Sequence, residues 1–144
     1  MTRCYVAADQ LLLRQLIEQD GISAGTVHGV TSWLRQAWPE GNQEDQEYAA
    51  LMAAADDSAL RIQEYSGAII GQRVVLVVEA EVHADGQDST RIQIKFPVQR
   101  RQLLAIQADP EPIDLASPDA PELGWYANQE AEQLLDRITR DPST

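Results

Sequence analysis

The stretch EYAALMAAADDSAL, Glu47 to Leu60, constrains this chain more than any other. It lies within a helical pattern over 43–65, capped by Asn42, with Tyr48, Leu51, Ala55, Ala59 and Ile62 recurring on one face. Alanine loses no side-chain entropy in a helix and keeps the axis close to whatever it covers. The pattern therefore predicts a long helix lying flat on a sheet, with Tyr48 and Ile62 closing its ends. Glu44, Asp45 and Glu47 fall in its first turns, where carboxylates offset the helix dipole, and Asp57 stands four residues before Arg61, the favourable order for an ion pair.

The sheet is legible on either side of this helix. RCYVAA (3–8) reads as a strand ending at Asp9, which caps a helix carrying Leu12, Leu13, Leu16 and Ile17 and stopping at Asp20–Gly21. GTVHGV (25–30) reads as a second strand, with Thr31 capping a short helix through Trp38. Residues 71–82 begin as a continuous apolar run and then alternate, as a central strand does. RIQIKF (91–96) alternates too, so a hairpin about the turn ADGQD (84–88) sets Glu79 and Glu81 among Arg91, Gln93 and Lys95. LLAIQA (103–108) is a fifth strand. Residues 109–122, with four prolines and five acids, read as a surface crossing without an element of its own, and an amphipathic helix from about Asn128 presents Ala131, Leu134, Leu135 and Ile138 inward, with Arg137 and Arg140 at its C-terminal end. The expectation is one α+β domain over 1–144, a mixed sheet of about five strands covered by about four helices.

Charge narrows the functional classes. The formal net charge is −12, from 11 basic and 23 acidic residues in 144, a field that repels phosphate backbones, so no nucleic-acid partner is expected. The acids concentrate in 43–65 (one basic, six acidic) and 109–144 (two basic, nine acidic). Only 66–108 is net positive, through Arg73, Arg91, Lys95, Arg100 and Arg101, and the acidic tail is placed to fold back beside it. No apolar run approaches the roughly 18 residues of a membrane helix, and the first residues lack the basic-then-apolar pattern of a secretory leader. Cys4, the single cysteine, excludes an internal disulfide and a multi-cysteine zinc site. A cytoplasmic protein without membrane attachment is expected.

Chemistry is sparse in the sequence. No glycine-rich phosphate loop or dinucleotide fingerprint occurs, and His28 and His83 have no paired ligand at metal spacing, so no cofactor and no metal are expected. Cys4 and His28 lie on neighbouring strands, but nothing in the sequence orients the imidazole toward the thiol, and a buried, inert cysteine is the expectation. Trp125 and Tyr126, following the proline-rich crossing, are the candidates for contact with a partner.

Taken together, YVAA (5–8), the strand entering Val30–Thr31, EYAAL (47–51), the strand 73–82 opening with RVV, and WYA (125–127) resemble a small bacterial family described only as a domain of unknown function. A second likeness is one of element order: a first strand, a helix ending near DGIS, a strand leading into Thr31 and a strand running into FPVQRRQLLAI resemble the ADP-ribosyltransferase-like fold. That likeness implies binding of a nicotinamide dinucleotide, with His28, Thr31, Arg100 and Arg101 as candidate contacts. The first strand offers Cys4, Tyr5 and Val6 where that fold supplies a histidine or arginine, so a degenerate site is implied. Between the two, the expectation is a non-enzymatic protein-interaction or regulatory module, acting through a protein partner or self-association, with the dinucleotide enzyme as the alternative.

Overall fold

A computed structural model describes residues 1–83 and 89–139. In chain order the elements are β1 (Thr2–Ala8), α1 (Gln10–Gln19), β2 (Val27–His28), α2 (Ser32–Ala37), α3 (Gln43–Ser66), β3 (Ile70–Gly71), β4 (Val74–Ala80), β5 (Arg91–Ile92), β6 (Leu103–Ala108), β7 (Ile113–Asp114), β8 (Gly124–Ala127) and α4 (Ala131–Thr139). Short 3-10 turns, Arg100–Gln102 and Asn128–Glu130, lead into β6 and α4. The main sheet has six strands in the order β5-β2-β1-β4-β6-β8, and β3 pairs with β7 in a separate ribbon.

The α+β class, the four helices and the long alanine-rich helix stand as expected. The sheet differs in two ways. It has a sixth strand, β8, and every described pairing is antiparallel, where a mixed sheet was expected. Strand β4 lies between β1 and β6, so Val74–Val78 are buried on both faces and Glu79 emerges to solvent. Its ladders occupy both edges, and the expected hairpin with 91–96 survives only beyond its end: Val82 bridges Ile94, and Lys95 lies 3.7 Å from Glu81. Arg91–Ile92 pairs instead with β2. The expected turn at 84–88 and Arg140 lie outside the described residues.

Strand alternation splits the interior into two layers. On one face Cys4, Val6, Leu76, Val78 and Ile106 pack with Leu12, Leu13 and Leu16 of α1 and Ala131, Leu134 and Ile138 of α4. On the other, Tyr5, Val75, Val77 and Ala105 meet Ala50, Leu51, Ala54 and Ala55 of α3. The alanine face is therefore the buried one. It is rotated from the expected stripe: Tyr48 is half exposed, while Gln46 and Ser58 are buried in its place. The capping residues act as read, since Asp9, Thr31 and Asn42 each accept an amide hydrogen bond at the start of their helix, Asn42 within a capping box closed by Asp45.

Two polar devices fasten the layers. The buried Ser58 hydroxyl donates to the Ala8 carbonyl at 2.7 Å and accepts from the Val74 amide at 2.9 Å, joining α3 to the end of β1 and the start of β4. Arg73, one of the cations of the net-positive stretch, is buried, and its guanidinium grips Asp109, the first residue of the acidic tail, through two bonds of 2.8 Å while also donating to the Pro121 carbonyl. The proline-rich crossing is thus tied down at both ends, and it contributes the strand β7 and the buried Leu115 where no element was expected. Arg100, paired with Glu132 at 2.7 Å, is the second cation that the acidic tail folds back upon.

Candidate functional site

A cleft of about 790 Å³ opens at the end of the sheet where β4 runs out. Ile94, Phe96, Leu104 and Met1 supply apolar surface, and Asp20, Glu79 and Glu81 place carboxylates among them, with Arg101 as the cationic side chain of the lining. Phe96 is 63% exposed, because Pro97 ends the extended run and the chain turns back at Val98 to bridge Ile22, leaving the ring outside the core. Asp20 holds the left-handed conformation that ends α1 (φ 48°), and its carboxylate accepts from the Arg100 amide at 2.6 Å, so this wall is fixed in place.

A second groove, about 360 Å³, shares Leu104 with the cleft and runs between α3 and β8, past Tyr48, Leu51, Val77 and Trp125. It lies at the margin of the cover that α3 gives β1, β2 and β4, beside the exposed Trp125 of β8. Trp125 and Tyr126 therefore part company. Alternation along β8 sends Tyr126 toward the α4 layer, where Arg137 sits 5.9 Å from its ring centre, and leaves Trp125 62% exposed on the groove.

The four residues suggested as dinucleotide contacts are divided between distant strands. β2 and β6 are separated by β1 and β4, roughly 14 Å at the usual strand spacing. Thr31 is fully buried, accepting from the Leu34 amide and donating to the Ser89 carbonyl. Arg100 is committed to Glu132 and to the Asn128 carbonyl, and this contact holds the Glu132 carboxyl below its ordinary range. Arg101 bonds Gln99 at 2.7 Å at the rim of the cleft.

His28 is the residue whose surroundings the sequence concealed. It pairs with Tyr5 across the β2–β1 ladder and so faces α3, while Cys4 faces the opposite layer, which removes any thiol–imidazole pair. Its Nε2 lies 2.5 Å from Asp57 and its Nδ1 2.6 Å from the Thr90 hydroxyl. Asp57 also stands 3.9 Å from Arg91, and Arg61 turns instead to Asp9 at 2.9 Å, so the expected Asp57–Arg61 pair is replaced by two bonds between elements. Burial pushes the Cys4 thiol up to about 11, with its Sγ hydrogen donated to the Thr2 carbonyl, as an inert thiol requires.

Among the described residues no three His, Cys, Asp or Glu side chains gather as a metal site, and no helix is long and apolar enough to cross a membrane. No curated protein and no solved structure matches the chain at a significant level. The sequence profile of a family of unknown function, DUF6912, matches residues 2–135. That match spans nearly every element that builds the sheet, its two helical layers and the cleft, and the chain belongs to this family.

Proposed function

We propose that the chain is a protein-interaction module whose docking surface is the cleft at the end of β4, continued past Leu104 into the Trp125 groove. The observation that carries this reading is the combination of exposed Phe96 and Trp125 with the carboxylates of Asp20, Glu79 and Glu81 along one concave surface. Exposed rings beside a cleft are costly for a solitary protein and typical of a binding surface. The occupant that fits is a peptide segment bearing lysine or arginine next to an aromatic or aliphatic residue. A second copy of this chain fits poorly, since it would bring like carboxylates together at a net charge of −12 each. The docking reading takes precedence over the nicotinamide dinucleotide because Arg100, the residue that would meet a pyrophosphate, is already engaged by Glu132.

Amide chemical-shift mapping tests it. An amphipathic peptide with alternating lysine and phenylalanine should move the resonances of Glu79, Phe96 and Leu104, and the same peptide with glutamate for lysine should not. Shifts scattered over the surface, or equal for both peptides, count against the assignment.

A further inference from the structure

The Asp57–His28–Thr90 array gives the chain a chemical capability that docking does not call upon. Nucleophilic catalysis at a hydroxyl needs a base within hydrogen-bond reach of it and a third group to orient that base. All three are present at short range: hydroxyl to Nδ1 at 2.6 Å, Nε2 to carboxylate at 2.5 Å. In the tautomer that places the ring hydrogen on Nε2, facing the Asp57 carboxylate, Nδ1 is bare and the Thr90 hydroxyl donates to it. That tautomer gives the array the polarity that draws a proton off Thr90. When the ring receives that proton no bond is lost, because the Thr90 oxygen can accept in turn and Asp57 balances the imidazolium.

The surroundings hold the array still. His28 is 4% exposed and Thr90 half-buried. The Thr90 carbonyl accepts from the Gly29 amide at 2.9 Å, and the preceding Ser89 carbonyl accepts from buried Thr31 at 2.7 Å. The base is thus dry and fixed, while Thr90 as a residue is only partly covered.

We infer that Thr90 is an activated nucleophile that takes an acyl group from an ester, with His28 as its general base and Asp57 as the residue that positions the ring. In the step, the Thr90 Oγ1–carbonyl carbon bond forms and the bond from that carbon to the leaving oxygen breaks. The hydroxyl proton passes to His28 Nδ1 and from there to the departing oxygen, leaving an acylated Thr90 and a free alcohol or phenol. No oxidant or reductant enters.

The full chain treated with p-nitrophenyl acetate provides the test, read by release of nitrophenolate and by mass spectrometry of the peptide bearing Thr90. The expected result is acetylation at Thr90, retained in Thr90→Ser, absent in Thr90→Val and slowed about a hundredfold in His28→Gln, the usual scale of general-base assistance. Asp57→Asn should alter the pH profile of nitrophenolate release rather than merely its amplitude. Thr90→Val removes only the hydroxyl and keeps the test decisive if the histidine variant unfolds. Acetylation confined to Lys95 and the amino terminus, or equal labelling of Thr90 in wild type and in folded His28→Gln, would overturn the assignment.

Discussion

The Asp57 carboxylate of α3 holds Nε2 of His28 on β2 at 2.5 Å, joining the long helix to the sheet through a bond between residues 29 apart in sequence. This contact lies beyond the reach of local reasoning. Asp57 has a satisfactory local partner in Arg61 four residues on, and the helix rule that pairs them is sound for an isolated helix. Packing α3 against the sheet offers Asp57 the imidazole and Arg91, and offers Arg61 Asp9 instead.

Ser58 occupies the neighbouring position, and its hydroxyl serves one buried carbonyl and one buried amide. Ser58→Ala should destabilise the chain by about 2 kcal/mol, the cost of leaving a buried backbone group unpaired. Urea unfolding should show this as a lower midpoint with an unchanged slope.

Ala54 is fully buried where α3 lies against the sheet. Ala54→Leu forces helix and sheet apart and should cost about 1–3 kcal/mol, despite leucine's good helix propensity. Thermal melts would show the loss, whereas an unchanged or raised Tm would mean that the close approach of α3 is not required.

Arg73 and Asp109 are both buried and bonded as a fork. Hydrogen bonding to Asp109 raises the Arg73 pKa against the opposing effect of burial. Removing one partner alone, as in Asp109→Asn or Arg73→Met, should cost about 3–5 kcal/mol by stranding the other, and the Arg73→Met/Asp109→Leu double variant should recover much of it. A double-mutant cycle by urea unfolding measures the coupling.

Burial raises the Cys4 thiol from 9.0 to about 11 and the Tyr5 phenol, also facing Glu47, from 10.0 to about 12. Above pH 9 the unfolded thiol loses its proton while the native one keeps it, so the unfolded state binds fewer protons and stability falls with pH. The stabilising contribution is complete below pH 9, and it declines between 9 and 11 for Cys4 and between 10 and 12 for Tyr5. Once both groups have ionised in the native state, the loss amounts to about 2–3 kcal/mol for each. Cys4→Ala should flatten the lower part of this decline in urea midpoints measured across alkaline pH.

How far the sequence reveals this molecule depends on the range of the interaction. The three N-caps, the extent of α3 and the fully buried run of β4 follow from neighbours within a few residues, and they stand where the sequence places them. Tyr48 does not close the helix end as expected, because a small rotation of α3 exchanges it for Gln46, which bonds the Trp38 and Gly41 carbonyls. The charge pattern places the acidic tail beside Arg73, but nothing near Arg73 in sequence marks Asp109, 36 residues away, as its partner or the pair as buried. The cleft was equally hidden. Its carboxylates come from the end of α1 and the end of β4, and the Ile22–Val98 and Val82–Ile94 bridges bring them beside Phe96.

The proposed docking surface is most directly tested by selecting peptides from a random displayed library on the wild-type chain and re-selecting them on the Glu79→Lys/Glu81→Lys variant. The account predicts enrichment of sequences pairing a basic with an aromatic or aliphatic residue, and loss of their binding to the charge-reversed chain. Failure to enrich any such sequence, or equal binding to both chains, would contradict it.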